Sequence, residues 1–243
     1  MERADYLACV RRDGELLLTS AAEGLDRPVP TCPGWTCERL VGHMGRTHRW
    51  TAGWVAAGES PEVEPPPHGP AVVAWARGGL DQVIDAIEAL DPDALVDTWL
   101  DRQPATFWAR RMAVETALHR VDAQSAGGPE AITPLSTDLA LDAVDELFEV
   151  VLQFSGTGDL PRTGQTLHLH ATDDDLAEGA GEWLVTLAAE GVGVTHEHAK
   201  GDVAVRGPVS DLVLLLWNRR DAEGLQVFGD EQVLDDWRTH VRV

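Results

Sequence analysis

Cysteine is scarce: three residues, Cys9, Cys32 and Cys37, in a chain of 243. So sparse and odd-numbered a set supplies no disulfide framework and suits a reducing compartment. Basic residues are also few, 19 against 41 acidic ones, for a formal charge of -22. A field of that sign repels nucleic acid and anionic membrane surfaces, so neither is expected as a partner. No uncharged apolar run reaches the roughly 18 residues that a membrane-spanning helix needs. The opening "MERADYLACVRRDGELLL" carries charges where a secretory signal needs an apolar block, and the expectation is a cytoplasmic protein. Low-complexity segments and internal repeats are missing too. What remains is a globular composition, 44% apolar, long enough to bury a core in one large domain or two small ones.

Hydrophobic spacing divides the chain. From about Asp5 to Ala22 apolar residues recur at helical intervals among charges, and Gly24 marks the end. "DRPVPTCPGWT" is too rich in Pro and Gly to be helical. Thr36 is placed to cap the helix "CERLVGHMGRTHRWTAGWVAA", with Glu38 in its first turn and Gly58 beyond its last. After the Pro-rich "ESPEVEPPPHGP" a third helix begins at "AVVAWARGGL", and after the irregular or briefly extended "DTWLDRQPATFW" a fourth, "ARRMAVETALHRVDAQSA". The pattern predicts an antiparallel four-helix bundle over residues 1–132. A small α+β domain is expected over 133–243: a helix from about Asp138 to Phe154, strands in "QTLHLHATD", "GEWLVTLAAEGVGVTHEH" and "GDVAVRGP", then helices in "VSDLVLLLWNRR" and "DEQVLDDWRTHV".

The chemistry-bearing residues concentrate on the fourth helix. Glu115 and His119 are one helical turn apart, so their side chains point the same way and can meet one ion. Two ligands cannot hold it alone, and catalytic zinc takes three protein ligands, His2Glu among the known sets. His43 is the best third donor, beside Gly42 and Gly45, which let another helix approach closely. His48 competes, but five residues rotate it by about 140° past full turns, which leaves it as a supporting or surface residue. A solvated helix face is the plain alternative for the Glu115-x-x-x-His119 pair.

"VPTCPGWTCERLVGHMGRTHRW" and "RRMAVETALHRVDA" together resemble the actinobacterial mycothiol-dependent maleylpyruvate isomerase family. The resemblance implies a DinB-like helical domain in which one His after the Pro-Gly-Trp segment and a later Glu-x-x-x-His pair bind a divalent metal, normally zinc. The matching positions are His43, Glu115 and His119. "LHLHATD", "GEWLV" and "DVAVRGPVSDLVLLLWNRR" resemble the family's C-terminal domain, similar to sterol carrier protein type 2 folds.

The metal would ionise the thiol of mycothiol, a cosubstrate that adds to an activated double bond, permits rotation and leaves; relatives use the same activation for thiol transfer. An anionic substrate calls for a guanidinium. By resemblance Arg219 occupies the place of an arginine directed at the metal cleft, and Arg111 precedes Glu115 by one turn on the same face. Trp50 and Trp54 share the His43 stripe and are placed to wall the pocket. The expected partners are therefore a small-molecule thiol and an electrophilic or anionic substrate, for a monomer or homodimer.

Weaker signals complete the reading. His168-x-His170 and His196-x-His198 would each project to one face of a strand, which makes a second metal site conceivable. Cys32 and Cys37 lack Cys-x-x-Cys spacing and are expected to be incidental thiols. The acidic run at 173–178 lacks the Gly and terminal Glu of a calcium loop. The rival to the enzyme reading is a non-catalytic binding protein that keeps the fold without the chemistry.

Overall fold

The computed structural model describes every residue except 156–158, 162, 175 and 242–243. The acidic run at 173–178 therefore lies partly outside the described residues. Two compact units, Met1–Thr133 and Pro134–Val243, divide the chain, the first helical and the second sheet-containing. The protein is thus of mixed α+β class. Among the described residues no helix is long and apolar enough to cross a membrane.

The first unit consists of α1 (Arg3–Ala22), α2 (Cys37–Ala57), α3 (Ala71–Glu88), a hairpin of β1 (Leu95–Thr98) and β2 (Asp101–Pro104), and α4 (Thr106–Ser125). Helix α2 starts and stops for local reasons. The Thr36 hydroxyl accepts from the Arg39 amide, and Gly58 closes the helix at φ 72°, a left-handed conformation that favours glycine. Helix α1 packs on α4, and α2 on α3. The small residues of α2 do admit a neighbour, but that neighbour is α3 rather than the helix carrying Glu115. A Cβ on Gly45 would stand 2.8 Å from the Ala76 Cα, and one on Gly79 would stand 2.7 Å from the Gly45 carbonyl oxygen.

Helix α4 is buried on nearly every side, from Trp108 to Ser125, although it carries Arg111, Thr116, His119, Arg120, Asp122 and Gln124. Polar groups inside a core must find partners. Arg120, 1% exposed, donates to Asp13 of α1 at 3.2 Å and to Gln124 at 2.8 Å. The rest of this polar stripe builds the site described below.

In the second unit α5 (Thr137–Glu146), a π-helical turn (Leu147–Val151) and α6 (Leu152–Ser155) follow one another without a break over the helix expected from about Asp138 to Phe154. Five strands follow, β3 (Gln165–Ala171), β4 (Glu182–Ala188), β5 (Gly191–Thr195), β6 (Val203–Gly207) and β7 (Gln226–Gly229), in the order β5-β4-β3-β6-β7. Among the described residues of this sheet β3 and β6 pair in parallel and the other neighbours antiparallel. Alternation sends Leu167, Leu169, Trp183, Val185, Val203 and Val205 to one buried face. Helices α7 (Val209–Leu216) and α8 (Glu231–His240) pack on β3 and β6. The opposite face carries His168, His170 and Glu182. Strand β7, four residues at a sheet edge, has too little pattern to be seen in sequence.

Candidate metal centre

The loop before α2 brings two unforeseen groups to α4. In Cys32-Pro33-Gly34-Trp35 the Trp35 amide donates to the Cys32 carbonyl at 2.9 Å, and Gly34 has φ 81°. Pro followed by a glycine of positive φ is the requirement of a type II turn. Thr31 ties the loop to α4 through Ser125, with the hydroxyls 3.3 Å apart. The Trp35 ring lies parallel to His119, 6.5 Å between centroids, and edge-on to His43 at 5.1 Å.

His43, Glu115 and His119 come together. Glu115 Oε1 is 3.6 Å from His43 Nε2 and 3.3 Å from His119 Nε2. Donor atoms around a tetrahedral zinc with bonds near 2.0–2.1 Å stand about 3.3–3.5 Å apart, so this spacing and the His2Glu donor set both fit such an ion. The second imidazole nitrogen of His119 is held from behind. Nδ1 lies 2.7 Å from Asp122 Oδ2, and a carboxylate only accepts, so Nδ1 carries the proton and Nε2 faces Glu115. Cys32, His119 and Asp122 form a second possible donor group that shares His119. Asp122 lay in plain view three residues after His119; Cys32 and Trp35 become relevant only once their turn has closed.

Electrostatics keeps the pieces apart in charge. Burial pushes the Glu115 carboxyl upward, but Arg111, whose guanidinium pairs with it one turn away, overrides this together with His119 and His43 and holds it well below the usual carboxylate range. Burial likewise disfavours charge on His119, yet bonds to Asp122, Cys32 and Glu115 raise it well above an ordinary histidine. A metal would displace that charge, since imidazole ligates as the neutral form. His48 behaves differently. It is buried, not at the surface, its Nε2 lies 3.0 Å from the Thr116 hydroxyl, and desolvation lowers it to about 4.

Trp50 and Trp54 stand farther along α2 than His43. They follow it on the same stripe, but two and three turns on, about 10 and 16 Å at 1.5 Å per residue. Their rings meet each other, Trp99 and Trp108, and their N–H groups donate to Ser60 and the Asp97 carbonyl. Arg219 belongs to the second unit, one residue past Asn218 at φ 58°, and donates to the Trp217 carbonyl at 2.7 Å. Cys37 is buried, and desolvation raises its thiol.

Comparison with known proteins agrees with this layout. A family model described as the mycothiol maleylpyruvate isomerase N-terminal domain matches residues 7–124, and one described as the MDMPI C-terminal domain matches 138–236. Two crystal structures, of the mycothiol-dependent maleylpyruvate isomerase and of a histidine-to-alanine variant of it, are similar in fold. Each superposes with a TM-score of 0.59 at 14% identity, covering 93% of this chain and 93% of that chain. No curated protein matches the sequence.

Proposed function

The chain belongs to the mycothiol maleylpyruvate isomerase family, and from that membership we propose that it is a metal-dependent enzyme acting on mycothiol and a small electrophile. The observation that carries the reading is the convergence of His43 Nε2, Glu115 Oε1 and His119 Nε2. These three residues would hold zinc or a similar divalent ion. When bound, the ion supplies a centre that keeps a thiol in its reactive thiolate form near neutral pH.

The protein's own groups prepare the place. Arg111 keeps Glu115 ionised inside the core, and Asp122 fixes the His119 tautomer. His48, neutral through burial, adds no competing charge. Trp35 covers one side of the two imidazoles and is the ring we set against the thiol, ahead of Trp50 and Trp54. With Arg111 engaged by Glu115, Arg219 is assigned to the substrate carboxylate, where a guanidinium binds through two parallel hydrogen bonds. Free thiols at Cys9, Cys32 and Cys37 accord with a cytoplasmic setting.

The test is mycothiol-dependent conversion of maleylpyruvate by zinc-loaded, tag-free protein. Wild type is expected to turn over only with the thiol present. His43→Ala and Glu115→Gln are expected to lose turnover together with one equivalent of zinc. Variants that keep wild-type zinc affinity and rate would overturn the assignment.

A further inference from the structure

On the face of the sheet turned away from α7 and α8, three of the chain's nine histidines meet at one carboxylate. His168 and His170, two residues apart on β3, project to the same side, and the register sets Glu182 of β4 opposite His170. His198 arrives from beyond the end of β5. Glu182 Oε2 lies 2.6 Å from His168 Nε2, while Oε1 lies 2.7 Å from His170 Nδ1 and 2.9 Å from His198 Nδ1. The four donor atoms all fall within 4.8 Å of one another. His196, expected to act with His198, turns instead to Asp145 and Trp183, because β5 ends at Thr195 and the alternation ends with it.

We propose that His168, His170, Glu182 and His198 form a second divalent-metal site, independent of the first unit's centre, closed by four protein ligands. Imidazole donors with one carboxylate select zinc or a neighbouring transition ion such as cobalt, whereas calcium and magnesium prefer oxygen ligands. A set of four protein donors leaves no position for substrate, which marks the site as structural.

Without an ion the ring nitrogens hydrogen-bonded to Glu182, His168 Nε2 and His198 Nδ1, carry protons, since a carboxylate only accepts. Binding transfers each proton to the other ring nitrogen and turns the lone pairs inward, while Glu182 remains anionic. The donors must then spread to about 3.3 Å apart, a small movement for rings already in place. Entry is open on one side: the His198 side chain is 75% exposed, that of His168 only 7%. The ion would thereby pin the segment carrying His198 to β3 and β4. Arg206, opposite His170 in the β6 register, opposes a cation there and weakens the site without removing a ligand.

Zinc and cobalt titrations of full-length, tag-free protein test this directly. The Glu115→Gln, His119→Ala double variant serves as a background lacking the first centre. Wild type should take up two equivalents of zinc and the background one; that one should give the intense visible bands of four-coordinate cobalt. His170→Ala and His198→Ala added to the background should leave none. His198→Ala alone, at a side chain that is 75% exposed, should weaken this equivalent by on the order of tenfold or more. A background protein that binds no zinc overturns the second site and leaves the first standing. Retention of the equivalent at unchanged affinity after loss of His170 and His198 overturns it as well. Failure of the first centre reads differently: wild type and background would then bind the same single equivalent.

Discussion

Two histidine constellations occupy this chain, and they are built on opposite principles. In the helical unit His43, Glu115 and His119 are backed by further groups: Arg111 stands behind Glu115 and Asp122 behind His119. In the sheet unit Glu182 is itself the hub, reached by three imidazoles across an open strand face. The first arrangement adds polar neighbours that fix charge and tautomer, while both imidazoles turn Nε2 toward one Glu115 oxygen. The second turns every donor toward the same carboxylate. A site meant to accept a ligand needs the former, and a site meant to fasten a loop is served by the latter.

The contrast can be strained most severely through α4. Asp13→Ala removes the carboxylate that Arg120 meets at 3.2 Å inside the core. A loss of about 3–5 kcal/mol is expected, as for other broken buried pairs, measured by denaturant unfolding of metal-free protein. No substitution on the outer sheet face should approach it.

Acidity gives the next effect. An unfolded histidine takes up its proton near 6.5, whereas His48 in the fold resists charge until about 4. Its folded value lies below its unfolded one, so its share of stability is intact above about pH 6.5 and drains away as the pH falls toward 4. The shift corresponds to about 3 kcal/mol. In metal-free protein, unfolding curves across that window should show a smaller decline for His48→Gln than for wild type by about this amount; parallel curves would refute the assignment.

Asp122→Asn sharpens the comparison at the centre itself. The amide can no longer accept the His119 proton with the strength of a carboxylate, and zinc affinity should drop about 10–100-fold, or about 1.4–2.7 kcal/mol, without unfolding. Competition with a chelator measures it. The smallest effect belongs to the sheet. In metal-free protein His198→Ala should shift stability by less than about 0.5 kcal/mol, because the residue is exposed and outside regular structure.

How much of this could be read beforehand depends on the range of the cause. Helix α2 is bounded by residues whose roles are local, Thr36 and Gly58, and its limits follow from them. Glu115 and His119 are paired by one turn of one helix. Spacing can propose His43, but only packing sets it 3.6 Å from Glu115. Trp35 and Cys32 act through a turn tied to α4 from 94 residues away in sequence, a closure that no window of the chain displays. The two tryptophans of α2 show the same dependence on range. Trp50 and Trp54 share a stripe with His43, but a stripe also has length, and the rise of the helix carries them into the aromatic cluster around Trp108. Helix α4 hides its importance because burial on all sides erases amphipathic contrast, so its polar residues look solvated until their partners are seen.

The seam between α2 and α3 has a further consequence. Packed helices ordinarily keep their axes about 8–10 Å apart, according to the side chains between them. Here Gly45 and Gly79 leave almost nothing between the backbones, and His43 is two residues from that seam. A single methyl group at Gly79 would act as a shim, tilting α2 and shifting one donor by a fraction of an ångström while every chemical group of the centre stays as it was. Tuning of this kind changes the calibration of a site rather than its inventory, and it can be done from a helix that contributes no donor to it.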